Sequence, residues 1–200
     1  MIILYHNLKR TVTQVIAMLI RKYENKDFDG VRFACLNSEG TEPDAVMSEF
    51  ILHTFCDYYI EKEPENCFVL DDAGKAVGYI ICTQDYDSYK AVFDKEYLPL
   101  TAHLGEENYK WAKESTILQN KYKADYPAHL HIDILPEYHR QGWGGKLLKT
   151  LYEHLASKGI KGVMLTTGTC NTNACSFYKK YGFTELEIQG DDIAFGMKLL

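Results

Sequence analysis

Several common signals are missing from this sequence of 200 residues. No stretch approaches the ~18 consecutive apolar residues that a membrane-spanning helix requires. The apolar opening at residues 1–5 is short and follows no basic segment, unlike the start of a signal peptide. Lys and Arg, at 22, are fewer than Asp and Glu, at 28, which leaves a net charge of −6. We therefore expect a cytoplasmic protein that binds neither nucleic acid nor membranes.

Paired cysteine motifs are missing as well. None of the six cysteines lies in a CxxC pair, which excludes the spacing of zinc ribbons and thioredoxin-like sites. Several lie inside apolar runs, where a free cysteine packs as a small hydrophobic residue. We expect reduced thiols at all of them, as is usual in the cytosol: Cys35, Cys56, Cys67, Cys82, Cys170 and Cys175.

The length suits one domain, and no internal repeat or low-complexity tract divides residues 1–200. In the N-terminal part, helical spacing of apolar residues predicts helices, and β-rich runs predict strands. Residues 72–75 are a tight-turn sequence between two β-rich runs, so those two strands should form a hairpin. The predicted elements are a strand at 1–7, helices at 11–23 and 44–60, and strands at 67–71 and 76–83.

Residues 85–126 form an insert that is too long for a structureless connection. A helix is predicted at 106–121. The insert is rich in aromatic residues, which either pack it onto its own domain or line a substrate pocket; both alternatives stay open. These aromatics are Tyr86, Tyr89, Phe93, Tyr97, Tyr109, Trp111, Tyr122 and Tyr126.

The C-terminal part has the most regular pattern. Strands are predicted at 129–135, 162–167, 184–189 and 193–199, and helices at 144–157 and 171–181. Strands and helices that alternate in this way, after a hairpin, predict an α/β sandwich around a mixed sheet.

A glycine-rich turn after Pro136 leads directly into the helix at 144–157. The start of a helix carries unpaired N–H groups and the positive end of the helix dipole, so it favours anions. Gly142, Gly144 and Gly145 would free the amides of residues 141–146 to bind a pyrophosphate. A purely structural turn would explain the same residues. Neither a Walker A motif nor the dinucleotide fingerprint fits, because Leu147 stands where the fingerprint's third glycine would be.

A second pattern follows at residues 171–183. Asn171, Ala174 and Tyr178 are spaced to share one face of a helix. A small residue between two polar ones leaves a groove for an extended ligand. Gly182 ends the helix, and the chain returns to a strand.

Together these patterns resemble the GNAT acetyltransferase superfamily. Residues 139–144 are similar to its pyrophosphate motif, Gln/Arg-x-x-Gly-x-Gly/Ala, except that His139 takes the first position. Residues 171–183 match its Asn-x-x-Ala-x-x-x-Tyr-x-x-x-Gly-Phe signature in full. The resemblance covers residues 65–200. It implies an α/β GNAT fold: a mixed, mostly antiparallel sheet flanked by helices, with the helical insert before the strand that leads to the glycine turn.

The resemblance also implies an acetyl-CoA-dependent N-acetyltransferase that acts on a primary amine of a small molecule, an amino sugar or a peptide. A non-catalytic acyl-CoA-binding or sensing domain is the alternative. The cofactor-binding residues implied are Ile134, Leu135, His139, Arg140, Gln141, Gly142, Trp143, Gly144, Gly145, Lys146, Asn171, Ala174 and Tyr178.

Residues 67–72, 77–79 and 126–133 are similar to a narrower group. It comprises the acetyltransferase-like C-terminal domain of the hexosaminidase that removes O-linked N-acetylglucosamine, and its bacterial relatives. This likeness implies either an amino-sugar acceptor or a loss of catalysis.

The implied mechanism is direct attack of the amine on the thioester. The amide near Leu135 would polarise the carbonyl oxygen, and Tyr178 would protonate the leaving thiolate. The resemblance implies that the strand before the glycine turn runs beside the acetyl group, so Asp133 is the first choice for the base. His131, on the same face of that strand, is the second. Acceptor binding is assigned to Asp85 and Asp87.

Two alternatives concern metal and assembly. His129, His131, Asp133 and His139 could instead hold zinc in a hydrolase. The glycine turn and the Asn–Tyr helix would then be coincidences, so we expect no metal. The final strand at 193–199 could pair between subunits, which leaves monomer and homodimer open.

Overall fold

A computed structural model describes residues 18–199. Within these residues the strands are β1 Leu19–Lys22, β2 Phe68–Asp72, β3 Lys75–Thr83, β4 Ala128–Ile134, β5 Gly162–Gly168, β6 Thr184–Gln189 and β7 Asp192–Lys198. These seven strands form one sheet in the order β1-β2-β3-β4-β5-β7-β6. Only β4 and β5 are parallel, and all other neighbours are antiparallel, which confirms the predicted mixed sheet.

Helices cover both faces of the sheet. Side chains of β3 alternate between two cores, because successive residues of a strand point to opposite faces. Tyr79 and Ile81 pack with the N-terminal and insert helices, whereas Ile80 and Cys82 pack with the last two helices. The helices are α1 Phe28–Asn37, α2 Ala45–Phe55, α3 Asp57–Lys62, α4 Tyr86–Val92, α5 Glu106–Glu114, α6 Ile117–Tyr122, α7 Trp143–Ser157 and α8 Thr172–Lys180. We call these two sides the insert face and the α7–α8 face.

None of the helices between residues 18 and 199 is long and apolar enough to cross a membrane. The predicted hairpin, the C-terminal strands and helices α7 and α8 all lie within two residues of their predicted bounds. Three other predictions need correction.

The helix predicted at 11–23 is wrong where the structure describes it, because Leu19–Lys22 pairs with β2 as an edge strand. Four residues with two apolar side chains fit a strand as well as a helix. The rest of that helix, and the strand predicted at 1–7, lie outside the described residues.

Two predicted helices are each interrupted. The helix predicted at 44–60 breaks at Cys56, whose φ is −129° and ψ is −61°. The break allows the buried Asp57 to pair with Arg32 at 2.5 Å. The helix predicted at 106–121 breaks at residues 115–116, where Ser115 Oγ donates to the carbonyl of Ala112 at 2.8 Å. Such hydroxyl bonds compete with regular helix bonds.

Helix α1 was not predicted. Val31 and Ala34 on its inner side are fully buried. Their spacing of three residues is the signal that could have indicated a helix. Its end brings residues 38 and 39 beside β4, which matters for the site below.

Arg21 joins β1 to a buried pair of carboxylates. Its guanidinium lies 2.6 Å from carboxylate oxygens of both Asp27 and Asp71, which are 3% and 6% exposed. Burial alone would raise the pKa of Asp27, but hydrogen bonds from Arg21 and the Glu24 amide outweigh it and lower the pKa. The edge strand is therefore held by charge as well as by the sheet.

We expect Arg21→Met to reduce the free energy of unfolding by about 3–5 kcal/mol, because two buried carboxylates lose their cation. Urea denaturation measures this. Lys26→Met is the matched control: its ion pair with Glu24 is more than half exposed and should contribute less than about 1 kcal/mol. Equal small losses in both variants would show that the Arg21 network does not stabilise the fold.

Candidate functional site

The sheet opens between its two parallel strands. β4 and β5 pair only at Ala128 with Val163 and at His129 with Met164. Beyond that point a cleft of about 880 Å³ separates them, closed at its sides by the start of α7 and by α8. A cleft of this size falls in the usual range for small-molecule and cofactor sites.

Unpaired backbone groups line both edges of this gap. The Leu135 amide donates to Val77 on β3 at 2.9 Å. Successive residues of a strand direct their N–H and C=O groups to opposite sides, so Ile132 and Ile134 face β5. Just before β5, the carbonyl of Lys161 accepts from the Leu199 amide at 2.8 Å, so odd-numbered residues of β5 bond to β7. The even-numbered residues Thr166 and Gly168 therefore face β4. Such edges can pair with an extended ligand that contains amide groups.

This register refines one prediction. An amide near Leu135 was expected to polarise a substrate carbonyl, and the amide of Leu135 itself is already bonded to Val77. The amides free to do so are those of Ile132 and Ile134. The pairing of β3 with β4 determines whether the odd- or the even-numbered amides of β4 are free. Spacing along the sequence does not determine this.

The glycine turn presents a row of free amides at the start of α7. Within the described chain, the N–H groups of residues 140–145 have no backbone acceptor. The first helical bond runs from the Lys146 amide to Gly142 at 3.3 Å, so the row starts and ends one residue earlier than predicted. Gly142 is left-handed, with φ of 82°. A 15-residue helix behind these amides makes the turn a natural anion site.

Gly144 and Gly145 also have a packing role that the sequence did not predict. A Cβ atom on Gly144 would lie 2.9 Å from the Phe177 ring, and one on Gly145 would overlap Tyr181. Phe177 lies in the last turn of α8, and Tyr181 directly follows the helix. The two glycines therefore allow α8 to pack against the turn, which joins the two sequence patterns into one unit.

His139 fastens the turn to β4. Its Nε2 lies 2.6 Å from the carbonyl oxygen of Ile134. A carbonyl only accepts, so this nitrogen carries the proton and donates. The departure from the family motif at His139 thus has a structural role at the end of the strand.

Asn171, Ala174 and Tyr178 form one wall of the cleft, as their spacing predicts. The Asn171 side chain also caps α8, accepting from the Ala174 amide at 3.0 Å. Tyr178 is 8% exposed and packs between Phe183 and Phe195. Burial raises the pKa of its phenol above the ordinary value, so Tyr178 keeps its proton at neutral pH.

Asp133 lies at the opposite wall, half-buried. Its carboxylate accepts a hydrogen bond from the Tyr79 hydroxyl. Burial raises its pKa to about 7, while hydrogen bonds from Tyr79 and Ser38 act in the opposite direction and the nearby Glu39 adds to the rise. A carboxylate with this pKa can take a proton at neutral pH. Sequence reasoning missed Ser38, Glu39 and Tyr79, because α1 and the register of β3 were unknown.

The second candidate for the base is already engaged. The Tyr59 hydroxyl lies 2.8 Å from Nε2 of His129 and 3.1 Å from Nε2 of His131. Burial lowers the pKa of His131 to about 4, so it is a weak base, and the geometry favours Asp133. The zinc alternative finds no support either: within residues 18–199, no three His, Cys, Asp or Glu side chains converge as a metal site requires.

Asp85 and Asp87 do not reach the cleft. Asp85 caps α4, accepting from the Ser88 amide at 2.8 Å, and Asp87 pairs with Lys123 at 2.5 Å. They follow the end of β3, which lies beside His129 and not beside Asp133. Their predicted role in acceptor binding has no geometric support. Leu135, Gln141 and Lys146 also lie outside the residues that line the cleft.

The aromatic residues of the insert were expected either to pack it onto its own domain or to line a pocket, and examples of both occur. Tyr86, Tyr89, Phe93 and Tyr97 are buried and pack the insert onto the sheet. Trp111 is 46% exposed and lines a separate cavity.

Comparisons with known proteins agree with this fold. The model of the acetyltransferase (GNAT) family matches residues 32–183. This chain is similar to SsHAT, a protein of known crystal structure. The sequences are 30% identical and the TM-score is 0.82, over 92% of this chain and 99% of that chain.

Two more distant structures show the fold alone. A Pyrococcus horikoshii OT3 protein is 19% identical, with a TM-score of 0.64, over 91% of this chain and 98% of its own. The PaiA N-acetyltransferase from Thermoplasma acidophilum, in complex with coenzyme A, is 17% identical, with a TM-score of 0.59, over 92% and 99%. The predicted fold is confirmed, and the narrower resemblance to the hexosaminidase domain stays a prediction.

The packing of α8 on the turn predicts that Gly145→Ala changes the free energy of unfolding in opposite directions with and without Tyr181. Gly145→Ala should destabilise the protein by about 1–2 kcal/mol, because overpacking exceeds the gain in helix propensity. In a Tyr181→Ala background the same change should stabilise slightly, since the ring it would overlap is gone. A double-mutant cycle by urea denaturation measures both.

Gly168→Ala is the control for this cycle. The nearest atom to its added Cβ lies at an ordinary 3.5 Å, so little change is expected in either background. If Gly145→Ala has the same effect with and without Tyr181, the glycine is not there to accommodate α8.

Proposed function

This chain belongs to the GNAT acetyltransferase family, and from that premise we propose that it is an acetyl-CoA-dependent N-acetyltransferase that acetylates a primary amine. One observation carries the proposal. A single cleft connects a row of free amides on α7, the unpaired edges of β4 and β5, and two groups suited to proton transfer, Asp133 and Tyr178.

The residues present fit the coenzyme along its length. The amides of residues 140–145 would hold its pyrophosphate, and each bond to a charged oxygen contributes about 1.5–3 kcal/mol. The amides of Ile134, Thr166 and Gly168 and the carbonyls of Ile132 and Thr166 would pair with amide groups of its pantetheine arm. The carbonyls of Ile134 and Gly168 already accept from His139 and from the Asn171 amide. Acetyl-CoA then supplies an acetyl group activated as a thioester.

The acid and the base approach the gap from opposite faces of the sheet. Asp133 shares the insert face with His131, whereas Tyr178 packs in the core of the α7–α8 face. Each group can therefore serve a different atom of the reaction. Asp133 accepts the proton that the attacking amine loses, and Tyr178 donates its proton to the sulfur as the C–S bond breaks and the C–N bond forms.

Backbone donors complete the site. Charge that develops on the thioester oxygen would be stabilised by the amide of Ile132, which faces the gap, is fixed by the sheet and lies further from the glycine turn than the amide of Ile134. A preorganised donor of this kind commonly lowers the barrier by about 2.7–4 kcal/mol.

The acceptor amine, the cellular location and the oligomeric state are also part of the proposal. The resemblance to the hexosaminidase domain supports an amino sugar, and small-molecule or peptide amines are the other candidates. All six cysteines are free thiols, which supports a reducing, cytoplasmic location. We propose a monomer or homodimer.

If Asp133 is the base, activity should rise with pH through about 7, as the carboxyl with its raised pKa ionises. Asp133→Asn should remove this limb and reduce kcat/KM by about 100-fold. Tyr79→Phe should shift the limb to higher pH, because the lost hydrogen bond favoured the carboxylate. Ionisation of an amine acceptor lies near pH ~10 and is separate.

The pH–rate profile of each variant measures this prediction. Tyr97→Phe is the matched control, since its hydroxyl donates to Glu61 at 2.7 Å, away from the cleft. A limb near pH 7 that persists in Asp133→Asn would rule out Asp133 as the base.

Tyr178→Phe should lower kcat by about 100-fold, the usual scale for a general acid, and leave the Kd for coenzyme A within about twofold. Thiol release and calorimetry measure the two quantities. Tyr152→Phe is the control, because this hydroxyl lies on α7 and is buried without a partner among residues 18–199. Unchanged turnover in Tyr178→Phe would contradict the assignment. Binding without turnover in the unaltered protein would indicate a sensing domain.

A further inference from the structure

Two histidines and a tyrosine form a chain of hydrogen bonds that ends in the cleft. The Tyr59 hydroxyl lies 2.8 Å from Nε2 of His129 and 3.1 Å from Nε2 of His131. His131 is half-buried and lines the cleft, whereas His129 is 3% exposed and does not line it. We call these three residues the His–Tyr–His chain. The reaction proposed above uses neither ring.

Both histidine rings are neutral at neutral pH. Burial lowers the pKa of His131 to about 4, and burial together with the neighbouring His131 lowers the pKa of His129 well below its ordinary value. Their ring neighbours are aromatic, with Phe55 5.6 Å from His131 and Tyr89 4.5 Å from His129 between ring centroids. A neutral imidazole has one N–H and one lone pair, so each ring donates at one nitrogen and accepts at the other.

The hydroxyl between the rings links their protonation. Tyr59 has a single proton and can donate it to only one of the two histidines. The other histidine must then donate its own Nε2 proton to the Tyr59 oxygen. The ring that accepts from Tyr59 therefore carries its proton on Nδ1, and the ring that donates carries it on Nε2.

Two observations assign the donor. The contact of Tyr59 with His129 is the shorter one, and an O–H donor makes shorter hydrogen bonds than an N–H donor. In addition, Nδ1 of His129 is buried without a hydrogen-bond partner among residues 18–199, and the rings of Tyr86 and Tyr89 lie 6.2 and 4.5 Å away. Aromatic faces are negative, so they attract an N–H and repel a lone pair. Tyr59 therefore donates to His129, and His131 donates to Tyr59.

This assignment leaves a lone pair on Nδ1 of His131. The nitrogen makes no hydrogen bond among residues 18–199 and belongs to a ring that lines the cleft. Asp133 is two residues further along β4, so both side chains lie on the insert face, about 7 Å apart at their origins. Two hydrogen-bond acceptors at this spacing can take two N–H groups from one nitrogen placed between them.

We propose that Nδ1 of His131 accepts a hydrogen bond from the amine that is acetylated, while Asp133 accepts the proton that the same amine loses. Tyr59 and His129 are positioning residues, which hold His131 in the tautomer that this contact requires. The proposal rests on the proposed acetyltransferase function and adds a second contact to its nucleophile. His131 keeps its own proton throughout the reaction.

The contact distinguishes primary from secondary amines. A neutral primary amine has two N–H groups and one lone pair. When Asp133 and His131 bind both N–H groups from the insert face, the lone pair is left to attack the thioester carbon. A secondary amine offers a single N–H, which Asp133 requires, so it gains nothing from His131.

Butylamine and N-methylbutylamine test the proposal, with thiol release as the measurement. His131→Phe keeps a ring beside Phe55 and removes both nitrogens. It should lower kcat/KM for butylamine about three- to tenfold, the scale of one hydrogen bond, and for N-methylbutylamine by less than about twofold. His131→Asn should restore most of the butylamine value, because its amide oxygen can take the place of Nδ1.

Tyr59→Phe should lower the ratio of the two kcat/KM values as well, because His131 loses the partner that keeps its proton on Nε2. Tyr58→Phe is the matched control. This neighbouring tyrosine is also buried, but its hydroxyl donates to Glu63 at 2.8 Å and not to a histidine. The ratio should be unchanged in the control.

Nitrogen-15 NMR of the histidine rings reads the tautomers without turnover. At neutral pH, His131 should carry its proton on Nε2 and His129 on Nδ1. The signals of His131 are identified by their loss in His131→Phe. In Tyr59→Phe, the preference of His131 for Nε2 should disappear. A proton on Nδ1 of His131 in the unaltered protein would overturn the proposal.

The kinetic outcomes separate this proposal from the proposed function. Equal changes for the primary and the secondary amine in His131→Phe would overturn the contact with His131 and leave the acetyltransferase intact. Absence of thiol release with every amine would overturn the proposed function, and the contact with the amine together with it. The NMR measurement would then still decide the arrangement of the His–Tyr–His chain.

Discussion

The early separation of β4 from β5 is the constraint on which the rest of this structure depends. Backbone groups inside a protein need hydrogen-bond partners, and a parallel pair that ends after two residues leaves several without one. The amides of Ile132, Ile134, Thr166 and Gly168 face the gap and are held at a fixed distance by strands that stay paired on their outer sides. The sheet thus provides a rigid slot for a ligand that carries amides of its own.

The two faces of the sheet divide the chemistry. On the α7–α8 face, the glycine turn and Tyr178 are suited to the coenzyme, and Gly144 and Gly145 let α8 pack closely enough to form one wall with α7. On the insert face, the half-buried Asp133 accepts a hydrogen bond from Tyr79, and its partial removal from water raises its pKa to about 7. In the proposed reaction, electrophile and nucleophile would therefore approach from opposite sides, and neither would have to displace the other.

Much of the α7–α8 face could be predicted from the sequence, because its motifs are local. The turn, α7, Asn171 and Tyr178 depend on residues within one or two helical turns of each other.

The insert face could not be predicted from the sequence, because it depends on long-range register. Whether Leu135 or Ile134 has a free amide follows only from the pairing of β3 with β4. Ser38 reaches Asp133 through α1, whose short apolar pattern did not indicate a helix. Asp85 and Asp87 resembled acceptor ligands by type, yet they lie at the other end of β4.

Calorimetric titration with coenzyme A tests the central claim most directly. The free amides of residues 140–145 and the open edges of β4 and β5 predict one site with a Kd of about micromolar or tighter. Gly142→Val, which cannot easily adopt a φ of 82°, should weaken binding at least about tenfold while the protein stays folded. No detectable binding to the unaltered protein, or equal binding by the Gly142→Val variant, would contradict the account.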